Sequence, residues 1–486
     1  MDYQQLLLAL LPDLLVVVAL FAALGVDYSR LRGSRLAKRY QMACRISAAG
    51  LIAGLAVLML QIAGTMTVME STADGQLVLT RGTLTLKALL YGMGLGVLPL
   101  AKRDQITPQV SEYFALLLLA TLGMGFVVTS RNLLGAFIAL ELVSLSLYAM
   151  TVLNQAKRAS AEAALKYMTF GAVASGFLLF GLSYLYGATG QLDLTQMTDL
   201  QHSPLLVLAY LLIFVGLGFK LALAPFHLWA PDVYQNAPTP VAGWIGSGSK
   251  IAAAALLVAM LQPVFTSPEL KAELIPALAA LAVASMVVGN LGALRQTNLK
   301  RLLAYSAIAN AGYLLVGVVA FSAVGNTSVI FYILVYSLAS LGAFGVVAVL
   351  TDTLGRDAEI SDFNGCWKTT PGLAMAFLVF VLSLAGIPPL AGFLGKFYLF
   401  FAAIGAAPEA AAWYDGFYWL VAFALIMSVV SLYYYLRVLR AFLVVPADDE
   451  VPVKTGWAAG ITLCVLAIAV LALGLWPEPL LTLLRH

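Results

Sequence analysis

The sequence predicts an all-α polytopic membrane protein of about fourteen transmembrane helices, built as two inverted five-helix repeats with one broken helix in each. Three observations carry that prediction. Of 486 residues, 62% are hydrophobic and only 10% are charged, with a mean hydropathy of +0.94. Apolar runs near the roughly 20 residues needed to cross a bilayer recur from end to end. Lysine and arginine gather in every second connection between those runs.

The composition excludes a soluble globule, whose water-facing surface needs far more charge. A net charge of +3 is too small to suggest a nucleic-acid partner. Cys44, Cys366 and Cys464 are far apart and form no CxxC pair, which argues against a disulfide framework, a zinc site or an iron–sulfur cluster. His202, His227 and His486 are equally scattered, so no haem or metal site is expected. The first apolar stretch reads as a retained span and not a cleavable signal, because its basic cluster follows the run.

The spans fall near 4–26, 46–68, 80–100, 111–129, 132–153, 161–187, 204–230, 240–262, 273–294, 302–321, 327–350, 371–404, 416–444 and 457–478. The seventh is interrupted by LAPFHLWAP (223–231) and the twelfth by AGIPPLAGF (385–393). Proline removes an N–H and clashes with the preceding turn, so Pro225, Pro388 and Pro389 should break these helices in mid-membrane. Such breaks persist only where protein or a watered cavity satisfies the freed backbone groups. The two breaks lie five spans apart. A five-span unit is odd, so its second copy inserts upside down, with ion sites expected at the discontinuous helices. The chain therefore divides into residues 1–110 (three N-terminal spans), 111–262 (first repeat), 263–445 (second repeat) and 446–486 (a C-terminal span). A faint echo links ALKYMTFGAVASG (164–176) with LLAYSAIANAGY (302–313).

Eighteen lysines and arginines, from Arg30 to Lys454, lie in connections after odd-numbered spans; the other side carries Arg81, Arg131, Lys271 and Arg485. The excess marks the cytoplasmic side and places both termini outside. Five basic residues remain inside spans, all lysines: Lys87, Lys166, Lys220, Lys250 and Lys396. The acids read within spans are Asp13 and Glu141. A lysine at mid-bilayer costs about 2.5–3.5 kcal/mol on insertion scales. Lys87 and Lys166, near span ends, either snorkel to the headgroups or take part in transport. For Lys220, Lys250 and Lys396, which sit far from both ends, snorkelling or a structural pair is the weaker reading and transport the stronger. Desolvation can bring a lysine's proton affinity near neutral pH, whereas arginine stays charged, so lysine suits a proton relay.

Glu141 serves either as a structural counter-ion or as a charge that controls a neighbouring lysine. Asp13, beside Pro12, is structural or interfacial. His227 follows the first break closely enough to be a relay member or a satisfied hydrogen-bonding group. The glycines of GMGLG (92–96) and GSG (246–248) suit close helix packing better than a phosphate cradle. YYY (433–435) reads as an interfacial anchor.

GLGFKLALAPFHLWAPDVYQNAPTPV (216–241), ALELVSLSLY (139–148), QTNLKRLLAYSAIANAGYLL (296–315) and LAGIPPLAGFLGKFY (384–398) resemble the antiporter-like subunits of respiratory complex I, the proton-translocating NADH:quinone oxidoreductase. WAPDVYQNAP and the lysine of GFLGKF are similar to its subunit N branch. The likeness covers residues 110–478; the first hundred match loosely. It implies proton translocation driven by quinone reduction in sister subunits, with no cofactor in this chain and flavin, iron–sulfur clusters and quinone in those sisters. It implies a multi-pass protein of the bacterial inner membrane, with antiporter-like subunit M and small subunit K as neighbours. By motif, Glu141 falls on the family's fifth-helix glutamate, Lys220 on its partner, Lys250 on the central lysine, Lys396 on the terminal one and Lys166 on the sixth-helix lysine. Two departures stand out. Asn310 occupies a tenth-helix position where many relatives have histidine, which makes it a candidate water-holding site. Lys87 has no place in the pattern.

Two other readings compete. One is an Mrp-type cation/proton antiporter subunit, or the equivalent subunit of a ferredoxin- or hydrogenase-linked complex. The other is a scaffold whose lysines only hold helices together.

Overall fold

A computed structural model describes residues 3–66, 71–72, 76–154, 157–197, 200–354, 357–406, 417–446 and 455–484. Arg356, Lys454 and Arg485, used above to assign sides, lie outside the described residues, as does His486. Among the described residues, thirteen helical stretches are long and apolar enough to cross a membrane, and two shorter apolar helices in tandem make a fourteenth crossing. The chain is a multi-pass membrane protein.

The first three crossings are α1 (Tyr3–Val26, continued to Leu31 by a π turn), α2 (Leu36–Ile62) and α3 (Arg81–Asp104). A small antiparallel hairpin, β1 (Ser71–Thr72) with β2 (Leu77–Val78), sits between α2 and α3. The first repeat holds α4 (Val110–Thr129), α5 (Leu133–Val152), α6 (Arg158–Thr189), α7 (Pro204–Leu221) with short α8 (Ala230–Asn236), and α9 (Thr239–Gly246) running into α10 (Gly248–Leu261). The second holds α11 (Pro268–Leu294), α12 (Leu299–Val318), α13 (Ala323–Leu354), the short α14 (Cys366–Thr369), α15 (Pro371–Ala385) with α16 (Ala391–Ile404), and α17 (Tyr418–Leu443). After them come α18 (Trp457–Leu475) and α19 (Glu478–Leu484). The centre of the molecule is α13, whose most apolar stretch is wholly buried, flanked by α9, α10 and α12.

Several boundaries differ from the sequence reading. The second crossing begins at Leu36 and not near 46, because Tyr40 is buried and packs that end of α2 inward while Lys38 and Arg45 stay exposed. The eighth crossing bends at Ser247 (φ −123°, ψ −81°), a discontinuity not foreseen. The glycines of GSG do allow close packing: a Cβ on Gly248 would lie 2.7 Å from the Trp244 ring and 2.8 Å from Met124. The tyrosine run is corrected outright. Tyr433 is exposed, but Tyr434 and Tyr435 are buried, because three consecutive helical residues cannot share one face.

The two repeats carry matching hardware. Asn132 caps α5 by accepting from the backbone N–H groups of Leu134 and Gly135, and pairs with Asp193 as an isolated bridge. Asn298 caps α12 through the Arg301 N–H and pairs with Glu359 in the same way. Each residue of the second set lies 166 positions after its counterpart, and five crossings put the two caps at opposite membrane faces. The register pairs α5 with α12. The echo read from residues 164–176 instead paired α6 with α12, and the structure corrects it.

The two breaks match as well. At the end of α7, Ala222 is left-handed (φ +60°) and Leu223 N–H bonds the Gly218 carbonyl. At the end of α15, Gly386 is left-handed (φ +84°) and Ile387 N–H bonds the Leu382 carbonyl. This reversed cap ends a helix in one step. It leaves the Leu221 and Ala385 carbonyls pointing beyond the half-helices. Side chains satisfy the other freed groups: Ser285 Oγ accepts from Ala224 N–H (2.9 Å), and Trp229 Nε1 donates to the Phe219 carbonyl (3.2 Å). That is the condition for irregular backbone inside a membrane.

Candidate functional site

Glu141 and Lys220 project into the first repeat from α5 and α7. Their charged atoms are 3.8 Å apart, and each is held by its own serine. Ser175 Oγ on α6 donates to Glu141 Oε1 (2.6 Å), and Lys220 Nζ donates to Ser144 Oγ (2.5 Å), one turn along α5 from the glutamate. Unit charges 4 Å apart interact by on the order of 4 kcal/mol at the effective dielectric suited to such sites. A narrow cavity lined by Ser144, Leu147, Tyr167 and Lys220 continues to Ser249, the neighbour of Lys250.

Lys250 sits on α10 at the seam of the repeats. Its Nζ donates to the Leu221 carbonyl (3.0 Å), which the broken α7 leaves open, and to the Ala307 carbonyl of α12 (3.1 Å). Its third direction faces the Tyr336 ring, 5.7 Å away. An ammonium has three N–H donors and a neutral amine has two. Lys250 can therefore release a proton while keeping both carbonyl bonds.

Lys396 repeats the arrangement beyond the second break. Its Nζ donates to the Ala385 carbonyl (3.0 Å), the open end of α15, and to Ser428 Oγ on α17 (3.1 Å), over the Tyr313 ring at 4.7 Å. Both lysines thus occupy the negative end of a half-helix dipole. A second cavity joins Lys396 to Asn310, Tyr332 and Tyr336. Asn310 Oδ1 accepts from the Tyr332 hydroxyl (2.7 Å), and Nδ2 donates to the Ser306 carbonyl (2.8 Å) beside the hydrogen-bonded Ser306–Tyr435 pair.

Comparison with known proteins decides the kinship. Residues 130–431 match the family described as NADH:quinone oxidoreductase/Mrp antiporter, transmembrane. The NADH-quinone oxidoreductase subunit N 2 of Acidobacterium capsulatum is 45% identical over 503 residues, covering 100% of this chain and 99% of that one. The chain belongs to the subunit N family. A chain in the structure of respiratory complex I from Thermus thermophilus with bound aureothin is 34% identical, with a TM-score of 0.81 over 98% of this chain and 100% of that one. A chain of the Mrp complex from Dietzia shares the fold (TM-score 0.81, 22% identity, 100% of this chain and 97% of that one).

Lys166, His227 and the three break prolines stand apart from this subunit N core. Lys166 is not deep: its side chain is 41% exposed and lies 3.0 Å from both Glu162 and Asp232. Asp232, on α8 beyond the break, also binds Arg301 of α12 at 2.8 Å. His227 lies in the break beside the Pro225 carbonyl, and its Nδ1 has no hydrogen-bond partner. Pro225, Pro388 and Pro389 are exposed on the protein flank.

Lys87, which had no assignment, belongs to another cluster. Its Nζ donates to Asp13 Oδ2 (2.6 Å), whose Oδ1 accepts from the Tyr91 hydroxyl (2.7 Å). Lys87 is 1% and Asp13 3% exposed, so the pair neither snorkels nor sits at an interface.

Sequence reasoning also missed Lys300, counted among the loop cations. It is 2% exposed and donates to the Ala237 carbonyl (2.9 Å), 3.7 Å from Asp357. Asp357 in turn binds Lys157 at 2.7 Å. Ser144 was legible as a same-face neighbour of Glu141. Ser175 and Ser428 carried no signal, since a serine in an apolar helix is most often bonded to its own backbone.

Proposed function

We propose that this chain moves protons across a bacterial inner membrane as the antiporter-like subunit N of an NADH:quinone oxidoreductase. The route runs from the Glu141–Lys220 pair through Lys250 to Lys396. The observation that supports this reading is a row of buried lysines linked by a shared carbonyl and a common cavity. Lys220 is followed by Leu221, whose carbonyl holds Lys250. Lys250 faces Tyr336, and Tyr336 lines the same cavity as Asn310 and Lys396. Asn310 cannot take up a proton near neutral pH, so it serves by holding water between the two lysines. Lys166, with Asp232, marks the basic side from which protons reach the row. His227 stands at the first break, where its unpartnered Nδ1 can hold water.

In the same reading the basic connections are cytoplasmic and both termini periplasmic. Flavin, iron–sulfur clusters and quinone belong to sister subunits. Subunits M and K are the expected neighbours, covering the flanks where the two breaks are exposed. Residues 1–110 and 446–486 frame the two half-channels, 111–262 and 263–445.

The test is proton pumping in vesicles holding the intact complex. Lys220→Ala should lower pumping and coupled quinone reduction while the complex stays assembled on a native gel. Glu141→Gln, which keeps a hydrogen-bond acceptor for Ser175 but loses the charge facing Lys220, should act in the same direction. Glu141→Asp should be milder. A normal proton-to-electron ratio in an assembled Lys220→Ala complex would remove the relay.

A further inference from the structure

One polar network in the second repeat is not used by this route. Asn290 on α11 donates through Nδ2 to the Tyr313 hydroxyl (3.2 Å) and to the Met286 carbonyl (2.8 Å), and its Oδ1 accepts from the Tyr434 hydroxyl (3.2 Å). Asn290, Tyr313 and Tyr434 are 0% exposed, and Lys396 lies over the Tyr313 ring. The trio therefore forms a branch that leaves the lysine row and heads toward the ends of α11 and α17. Four residues beyond Asn290, α11 ends at Leu294. Three residues beyond Tyr434 on α17 stands Arg437, which donates to the Leu294 carbonyl (2.9 Å) and to the Gln296 carbonyl (2.6 Å). Spacings of three and four residues keep these groups on the same helix faces. Arg437 thus caps the branch one turn above the Asn290–Tyr434 pair.

A buried row of amides and hydroxyls is the kind of interior that water enters most readily, because it offers partners that hydrocarbon does not. Left open, such a row beside a proton-carrying lysine would short-circuit the membrane. A guanidinium does not deprotonate in proteins, and a fixed positive charge over a narrow polar path is a barrier to protons and cations.

We propose that Arg437 is an electrostatic plug. It closes the Asn290–Tyr434 branch at the face bearing the basic connections, so that protons on Lys396 cannot exchange with that side. The proposal rests on the relay reading of Lys396. The bland alternative is that Arg437 only staples two helix ends, as cations near a helix C-terminus often do.

Passive leak separates the two. Vesicles holding the intact complex, with neither NADH nor quinone, are given an imposed pH difference and its decay is followed. Arg437→Met should leak several-fold faster than the unaltered complex, and Arg437→Lys, which keeps the charge, should stay tight. Adding Asn290→Leu to Arg437→Met should restore the slow decay by drying the branch. If Arg437→Met fails to assemble on a native gel, Arg437→Gln, which keeps an N–H for the Leu294 carbonyl, replaces it with the same expected leak. A tight neutral variant, or a leak that Asn290→Leu does not reduce, overturns the plug. The relay stands or falls separately, on the proton-to-electron ratio of Lys220→Ala during turnover.

Discussion

Lys250 donates to the Leu221 carbonyl at 3.0 Å, so the backbone atom that holds the central lysine belongs to the residue next to Lys220. The break in α7 makes this possible, because an unbroken helix would have bonded that carbonyl to its own fourth-next N–H. The geometry turns on Ala222, a residue with a Cβ held at φ +60°. The left-handed region costs an ordinary residue about 1–2 kcal/mol and is worse for a branched side chain.

Ala222→Val should therefore lower the amount of assembled complex, while Ala222→Gly should be tolerated. Complex abundance on native gels, with quinone reductase activity per complex, distinguishes them. Equal abundance of both variants would show that the break is set by its prolines alone.

At Asn310 the amide bonds Tyr332 and Ser306 within a buried cluster. Asn310→Leu, of similar size, leaves the Tyr332 hydroxyl without its acceptor and dries the cavity shared with Lys396. Proton transfer should slow in an assembled complex. Asn310→His keeps the site polar and adds a titratable ring, so pumping should be retained. Undiminished pumping in the leucine variant would move the path away from this cavity.

The Asp13–Lys87 pair is a case where one partner is worth more absent than alone. Breaking a buried ion pair by removing one side costs about 3–5 kcal/mol, whereas replacing both with apolar residues is often neutral. Lys87→Met should reduce assembly. Lys87→Met combined with Asp13→Leu and Tyr91→Phe should recover it, with pumping unchanged. If the triple variant assembles but pumps poorly, the cluster belongs to the proton route after all.

The fold and the lysine row were readable in the sequence for the same reason: charge is so costly in a bilayer that each exception is informative. Fourteen crossings, both proline breaks and the burial of Lys250 and Lys396 followed from hydropathy and proline chemistry. What holds the lysines did not. Lys250 and Lys396 are gripped by the carbonyls of Leu221, Ala307 and Ala385, and a carbonyl leaves no mark in the residue alphabet. Nor did partners distant along the chain follow from spacing. Lys87 finds Asp13 across 74 positions, and Asp232 ties Lys166 to Arg301 across the two repeats. Tyr434 and Tyr435 were misplaced because a run of aromatics was read as an interface belt when helical periodicity turns two of the three inward.

On the proposed relay, Lys250 must gain and lose a proton while bridging the two repeats. Arginine in its place keeps the positive charge and the donors to the Leu221 and Ala307 carbonyls but cannot be deprotonated. The decisive measurement is the number of protons pumped per electron by Lys250→Arg in vesicles, normalised to assembled complex. The relay predicts a lowered ratio in a complex that assembles normally; an unaltered ratio would mean that Lys250 is a fixed structural charge and that protons cross the membrane elsewhere.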